Sequence, residues 1–363
     1  MRILVLSNIG SGLYKFRREV LAEMAKENEV FFCVPSDEYI SLLTDMGCQF
    51  IDNPLLERHG VNPLKELKLL FFYRRVIKKV EPDIVFTYTI KPNVYGGMVC
   101  AGLGIPYVAN ITGLGTAVEN GGALQALSLF LYRMGLRKAR SVFFQNEENR
   151  DFMIGRGIVK GDYDVIPGSG VNLDQFRLHP YPDGDTVDFL FAGRIMKEKG
   201  IDQYIDAAKE IRDKHHETRF HICGSYEEDY HDTIRKLNDD GTVIYHGVVD
   251  DMVPFYTMAS CVVLPTYYPE GLNNVLLEGA ATGRPLITTN RPGCREVVDD
   301  GINGFFAERQ NSRDLIEKVE AFLALSREER EKMGLAGRRK VEEHFDRRII
   351  IGKYMDVIGS LNR

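Results

Sequence analysis

The stretch PGSGVNLDQFRLHPYPDGDTVDFLFAG, residues 167–193, divides this chain. Its first twenty residues hold three Gly, three Pro and three Asp and carry no apolar period, so they read as a connector. The last seven, VDFLFAG (187–193), are a short apolar run closed by glycine, which reads as a buried strand. The same kind of run recurs before the connector: ILVLS (3–7), VFFCV (30–34), DIVFTY (83–88), PYVAN (106–110) and SVFFQ (141–145). Helical-period segments lie between them, at 14–26, 63–80, 91–102 and 122–139. After the connector the alternation restarts with 187–193 and continues through RFHICG (219–224), TVIYHG (242–247), CVVLP (261–265) and PLITT (285–289). Residues 312–360 read as helix alone. Strands alternating with helices imply βαβ units and parallel sheets. The expected class is therefore α/β, with two doubly wound domains joined near 170–186. No period of 20–50 residues repeats, which excludes a solenoid.

Bulk properties agree. A chain of 363 residues with 44% hydrophobic composition suits two domains, each with its own core. The net charge is −6, and the acidity lies in the second half. That argues against a general nucleic-acid binder, which needs a basic field. Six cysteines are scattered without a Cys-x-x-Cys pair and read as reduced, buried thiols of a cytoplasmic protein. MRILVLSNIG reads as a first strand rather than a signal peptide. No apolar run approaches the roughly 18–20 residues that span a bilayer.

Ligands of open α/β sheets bind outside the carboxyl ends of the strands. Two such domains facing each other are expected to leave a cleft. One segment at such a strand end is PEGLNNVLLEG (269–279), with Glu270 and Glu278 flanking seven uncharged residues. A helix is expected to start near Leu272–Asn274, and its first N–H groups attract anions. Glu278 lies inside that helix among apolar neighbours, one turn from Asn274. A buried carboxylate needs donors, and the paired hydroxyls of a ribose supply them. The plainer possibility is that Glu270 favours a helix N-terminus and Glu278 pairs with an arginine. The spacing alone does not choose.

A second segment is FAGRIMKEKG (191–200), where a strand runs into Gly193-Arg194 and Lys199 opens the next helix. Arg194 and Lys199 suit a phosphate, one as a fork and one as a point charge. SNIGSGLYKFR (7–17) places Gly10 and Gly12 between the first strand and helix. It lacks the third glycine and the acid of a dinucleotide fingerprint, so hydride transfer is poorly supported. YTIKPNVYGG (88–97) and NITGLG (110–115) follow strands of the first domain and put Lys91 and Thr112 on an acceptor side. Each of these also fits a plain strand–helix turn with solvated polar groups. Finally, residues 62–81 combine Leu69, Phe71 and Phe72 with Lys65, Lys68, Arg74, Arg75, Lys78 and Lys79, a profile suited to anionic lipid. Residues 122–140 read instead as a sheet-covering helix.

Together the segments resemble the retaining GT-B glycosyltransferases of family four, over nearly the whole chain. The most specific element is the E-x7-E signature from Glu270 to Glu278, downstream of FAGRIMKEKG. VIPGSGVNLDQF resembles the family's junction between domains, and FTYTIKPNVYGG with NITGLG is most similar to bacterial enzymes that extend lipid-diphosphate-linked oligosaccharides. The resemblance implies two Rossmann-like domains facing across a cleft: 1–170 binding acceptor, 171–345 binding nucleotide-sugar, and a helix 346–363 crossing back to the first. It implies that Arg194 and Lys199, after Gly193, hold the donor diphosphate. The amides of Leu272, Asn273, Asn274 and Val275 would support it. Glu278 would take the ribose hydroxyls, Glu270 the transferred sugar, Val249 the base side, and Gly12 a backbone approach from the first domain. Many relatives carry a cleft histidine where this chain has Asn110, Ile111 and Thr112. His59 is the only histidine before residue 179, so Asn110 or Thr112 would serve for positioning only.

The expected reaction is a front-face, retaining transfer from a UDP-sugar co-substrate to a lipid-diphosphate-linked saccharide. It uses no cofactor, and no Asp-x-Asp at a strand end suggests a metal. A peripheral place on the inner face of the membrane is expected. A non-hydrolysing UDP-sugar epimerase shares the architecture but needs cleft acids and histidines absent from the first half. A silent sugar-nucleotide-binding scaffold is the remaining alternative.

Overall fold

The computed structural model describes residues 1–56, 62–115, 118 and 121–361. They form two units: one holds residues 1–169, 269–272 and the chain from 347 on, the other residues 170–268 and 273–346.

Unit one is a seven-stranded parallel sheet in the order β3-β2-β1-β4-β5-β6-β7. The strands are β1 (Arg2–Leu6), β2 (Glu29–Val34), β3 (Gln49–Asp52), β4 (Ile84–Tyr88), β5 (Tyr107–Ile111), β6 (Ser141–Phe144) and β7 (Asp162–Val165). β4, β5 and β6 are buried at every position, as parallel strands covered on both faces must be. Helices α1 (Gly10–Ala25) and α2 (Ile40–Thr44) cover one face. On the other lie α3 (Pro63–Val80), α4 (Gly97–Leu103) and α5 (Gly122–Leu136). α6 (Glu147–Gly155) follows β6. α3 shows why such a segment is helical. Asn62 accepts from the Leu64 N–H at 3.0 Å, Pro63 occupies the first turn, and Glu81 ends the helix at φ 50°. A π turn, Pro92–Gly96, leads into α4.

Unit two is a six-stranded parallel sheet, β10-β9-β8-β11-β12-β13. Its strands are β8 (Val187–Ala192), β9 (Thr218–Cys223), β10 (Ile244–Tyr245), β11 (Cys261–Leu264), β12 (Leu286–Thr289) and β13 (Gly304–Ala307). Its helices are α7 (Ile201–Lys214), α8 (His231–Asp239), α9 (Val253–Met258), α10 (Asn274–Ala281), α11 (Ser312–Leu323) and α12 (Arg327–His344). Ser326 and Glu329 form a reciprocal capping box at the start of α12.

The last helix, α13 (Arg347–Gly359), packs in unit one, where Ile350, Tyr354 and Ile358 join the core of α1 and β1. Arg347 fixes it with an ion pair to Glu19 at 2.6 Å and a bond to the Ser169 carbonyl at 3.2 Å. Residues 269–272 also cluster with unit one, against the expectation of one continuous second domain. The Asn146 side-chain amide donates to the Gly271 carbonyl at 2.7 Å. Glycine is required there, because a Cβ on Gly271 would stand 2.2 Å from Gln145 Oε1 and 2.6 Å from the Thr112 carbonyl.

Strands β3, β7 and β13 are additions to the sequence reading, and β10 is two residues long where six were expected. These are the four edge strands. An edge strand has one neighbour and faces water, so it keeps polar ends such as Gln49 and Asp52 and loses its apolar signal.

Candidate active site

Unit two gathers charge at the carboxyl end of β8. The strand stops at Gly193, whose φ of 150° lets the chain turn sharply. Its carbonyl lies so close to Gly224 that a Cβ there would come within 1.8 Å. Past this turn, Arg194 points over the Tyr268 ring, with its guanidinium carbon 4.9 Å from the centroid. Lys199 lies over the same ring at 5.3 Å. Both cations are drawn to one aromatic ring by cation–π attraction. Lys199 is buried, and burial with Arg194 beside it pushes its pKa down to about 7. Arg194 is half-buried and is held by Glu227 at 3.5 Å. The site is thus built to receive negative charge, because an arriving anion relieves both the desolvation and the mutual repulsion.

α10 stands at the carboxyl end of the same sheet. Its cap is Asn273, whose side chain accepts from the Leu276 N–H at 3.2 Å while its own N–H donates to the Gly293 carbonyl at 2.9 Å. That corrects the expected set of anion-facing amides. The Asn273 N–H is engaged, and Leu272 belongs to unit one, where its side chain packs against Gly168. The amides of Asn274 and Val275 are in the first turn of α10. One turn further, Glu278 is half-buried and accepts a 2.8 Å bond from the Tyr256 hydroxyl. Val249 is half-buried in the chain between β10 and α9.

In unit one, Glu270 is half-buried on the segment that Asn146 holds. Thr112 is half-buried just beyond β5, with its carbonyl near Gly271. Gly12 is in the first turn of α1, where an added Cβ would meet only Ile9 Cγ2, at 3.0 Å. That turn already carries an acid, since Ser11 N–H donates to Asp37 Oδ2 at 2.9 Å.

Two expected acceptor contacts are turned to other uses. Asn110 is buried; its Nδ2 donates to the Thr87 carbonyl at 3.1 Å, its Oδ1 accepts from the Tyr354 hydroxyl, and its backbone carbonyl accepts from Asn93 at 2.8 Å. Its side chain is a brace between β4, β5 and α13, with both polar ends engaged. Lys91 forms a 2.7 Å ion pair with Glu66 that is largely shielded from solvent, so it ties the β4 loop to α3. His59 lies outside the described residues. Sequence reading missed Tyr268, Tyr256 and Glu227. The one hint was the TYYPEG run that puts Tyr268 directly before Pro269.

Two parallel, doubly wound units with a cationic turn and an acid-bearing helix in the second define a glycosyltransferase of the GT-B class. Family models agree: "Glycosyl transferase 4-like" matches residues 2–146 and "Glycosyl transferases group 1" matches 179–340. The chain belongs to the GT-B glycosyltransferases of family four. It is 34% identical over 341 residues to the capsular polysaccharide biosynthesis glycosyltransferase CapM of Staphylococcus aureus, covering 89% of this chain and 83% of that protein. It is 28% identical over 375 residues to the N,N'-diacetylbacillosaminyl-diphospho-undecaprenol alpha-1,3-N-acetylgalactosaminyltransferase of Campylobacter jejuni, covering 98% and 97%. The Anabaena Alr3699/HepE crystal structure in complex with UDP superposes with a TM-score of 0.80 at 16% identity, covering 99% of this chain and 100% of that one. At that identity the likeness speaks for the fold.

Proposed function

We propose that this chain is a retaining, metal-independent glycosyltransferase. It moves a hexose or N-acetylhexosamine from a UDP-linked donor to a lipid-diphosphate-linked saccharide. The observation that carries this reading is the pair Arg194 and Lys199 over Tyr268, the lysine buried and the arginine half-buried, whose charge suits a diphosphate. The acceptor class is supported by the printed activity of the Campylobacter relative, and the donor class by a fold neighbour in complex with UDP.

In this mechanism the acceptor oxygen attacks the anomeric carbon on the face from which the diphosphate departs. The bond from carbon to the diphosphate oxygen breaks, and that oxygen takes the acceptor proton. Arg194, Lys199 and the first amides of α10 stabilise the charge that develops on the leaving group. Glu278 holds the ribose hydroxyls, Glu270 the hydroxyls of the transferred sugar, and Val249 borders the base. Thr112 serves the acceptor side, and Gly12 offers the donor a backbone approach, both from unit one.

The test is a panel of UDP-sugars offered with a prenyl-diphosphate-linked saccharide, with the anomeric configuration of the product read by NMR. An α-linked product from an α-linked donor, formed equally well in chelator, is expected. Arg194→Ala and Glu270→Ala should each lower turnover by about 10²–10³-fold. Inversion at the anomeric carbon, or unchanged turnover in both variants, would remove the mechanism.

A further inference from the structure

Asn146 follows β6 and opens α6. Its Oδ1 accepts from the Asn149 N–H at 2.8 Å, so it caps that helix, ahead of Glu147 and Glu148 in the first turn. Serine, threonine or aspartate would cap as well. Yet Asn146 is 1% exposed, which a cap does not require, and the other end of its amide is committed elsewhere. Nδ2 donates to the Gly271 carbonyl at 2.7 Å and reaches the Glu270 carbonyl at 3.4 Å. These partners fix the amide's orientation, with an N–H facing Oδ1 and two carbonyls facing Nδ2. Among the usual capping side chains, only asparagine joins an acceptor and two donors in one planar group. The helix end alone does not explain the residue type.

What Asn146 holds is a four-residue strap. Residues 269–272 cluster with unit one, while Tyr268 before them and Asn273 after them belong to unit two. The strap is in neither helix nor strand, so its place is set by what it touches. A Cβ on Gly271 would stand 2.2 Å from Gln145 Oε1 and 2.6 Å from the Thr112 carbonyl. A Cβ on Gly113, at φ 148°, would lie 3.4 Å from the Pro269 carbonyl. Leu272 packs against Gly168. These contacts come from the loops after β5, β6 and β7, all at the carboxyl ends of parallel strands. The two acids of the E-x7-E signature therefore belong to different units, Glu270 to unit one and Glu278 to unit two.

We propose that Asn146 is a positioning residue for Glu270. Its side-chain amide clasps the strap to unit one and so fixes the carboxylate that, in the proposed reaction, meets the hydroxyls of the transferred sugar. It acts through the backbone of residues 270 and 271. The grip is firm because α6 holds the other end of the same amide, so the donor cannot swing away without uncapping a helix. A group that positions substrate needs such a hold, since a displacement of about 1 Å costs on the order of 10²-fold in rate. The inference deepens, and rests on, the proposed role of Glu270.

Two variants loosen the strap from opposite sides. Asn146→Ser keeps a neutral cap for α6 and loses the amide donor. Gly271→Ala pushes against Gln145 and the Thr112 carbonyl and leaves the cap untouched. In both, amide exchange at residues 270–272 should quicken by about tenfold or more while α6 keeps its parental protection. With a UDP-sugar and a prenyl-diphosphate-linked saccharide, kcat should fall by about 10–100-fold, and calorimetric affinity for UDP should hold. Asn146→Ser combined with Glu270→Ala should be no slower than Glu270→Ala alone, because both remove the same contribution. Parental exchange at 270–272 overturns the proposal. So does an equal loss of protection in α6, which would make Asn146 a helix cap and nothing more, and so does an additive loss in the combined variant. Quickened exchange at 270–272 beside full turnover in Glu270→Ala would uphold the clasp and remove the proposed part of Glu270.

Discussion

The Tyr256 hydroxyl donates to Glu278 Oε2 at 2.8 Å, joining the buried side of α9 to the acid of α10. Burial, then the neighbouring carboxylate, raises the Tyr256 pKa well above its usual range, so the phenol stays a donor throughout the working pH range. A neutral donor beside a carboxylate orients it without cancelling its charge.

Tyr256→Phe should therefore act through donor binding. A hydrogen bond to a charged group contributes about 1.5–3 kcal/mol, so the KM for the donor is expected to rise by roughly tenfold or more while kcat changes little. Glu278→Gln should raise it further. Steady-state kinetics with varied donor decide this; a Phe variant with wild-type KM would show that the tyrosine only fills space.

In its proposed role at the donor diphosphate, Lys199 would make donor binding proton-linked. With its pKa at about 7, the lysine is largely neutral at pH 8 in the free protein. A bound diphosphate favours the cation and raises that pKa. Binding of UDP at pH 8 should take up a proton, on the order of one per site, and at pH 6 almost none. Calorimetry in buffers of different ionisation enthalpy measures it. Lys199→Arg, which stays charged, should abolish the uptake; equal uptake in that variant would assign the proton elsewhere.

The pair His221 and His246 predicts acid sensitivity of unit two. Their ring nitrogens are 2.9 Å apart, and His221 Nε2 is 3.0 Å from Asp188 Oδ1, with Arg219 and Phe255 completing the surroundings. Burial, then His221, holds the His246 pKa below the ordinary imidazole value. The unfolded chain then binds more protons once pH falls below about 6.5, and stability declines as pH drops through that value. His246→Gln keeps a side-chain amide toward His221 and removes the titration. Melting temperatures at pH 7.5 and 5.5 should differ less in the variant than in the parent, and equal differences would rule the pair out as the cause.

Helix α13 is predicted to be part of the fold of unit one. Ile350, Tyr354 and Ile358 are buried there, and each such side chain contributes about 1.5–3 kcal/mol. Their sum is comparable to the stability of a whole domain. A chain ending at residue 346 should show unit one unfolded by amide exchange while unit two still binds UDP. Protected amides in β1 and β4 of that truncated chain would refute it. Tyr354→Phe, which removes the hydroxyl that donates to Asn110, should cost about 1–3 kcal/mol.

What the sequence determined by itself is local or repetitive. Central strands such as Ile84–Tyr88 and Cys261–Leu264 were legible because burial on both faces demands an unbroken apolar run. The bounds of α3 were legible because its helical period runs from residue 63 to 80, between Pro63 and Pro82. Gly193, Arg194 and Lys199 were legible as a unit because a strand, a turn and a cation pair lie within seven residues. Tertiary structure decided the rest. It chose which strands are edges, that residues 269–272 and α13 serve unit one, and that Asn110 braces Tyr354. It also set Tyr268 beneath two cations, and left the apolar side of α5 facing outward. The physical reason is sequence separation. A tyrosine or leucine in an apolar run has the same local pattern whether it fills a core, holds a carboxylate or faces solvent, and only residues brought in from elsewhere in the chain select among them.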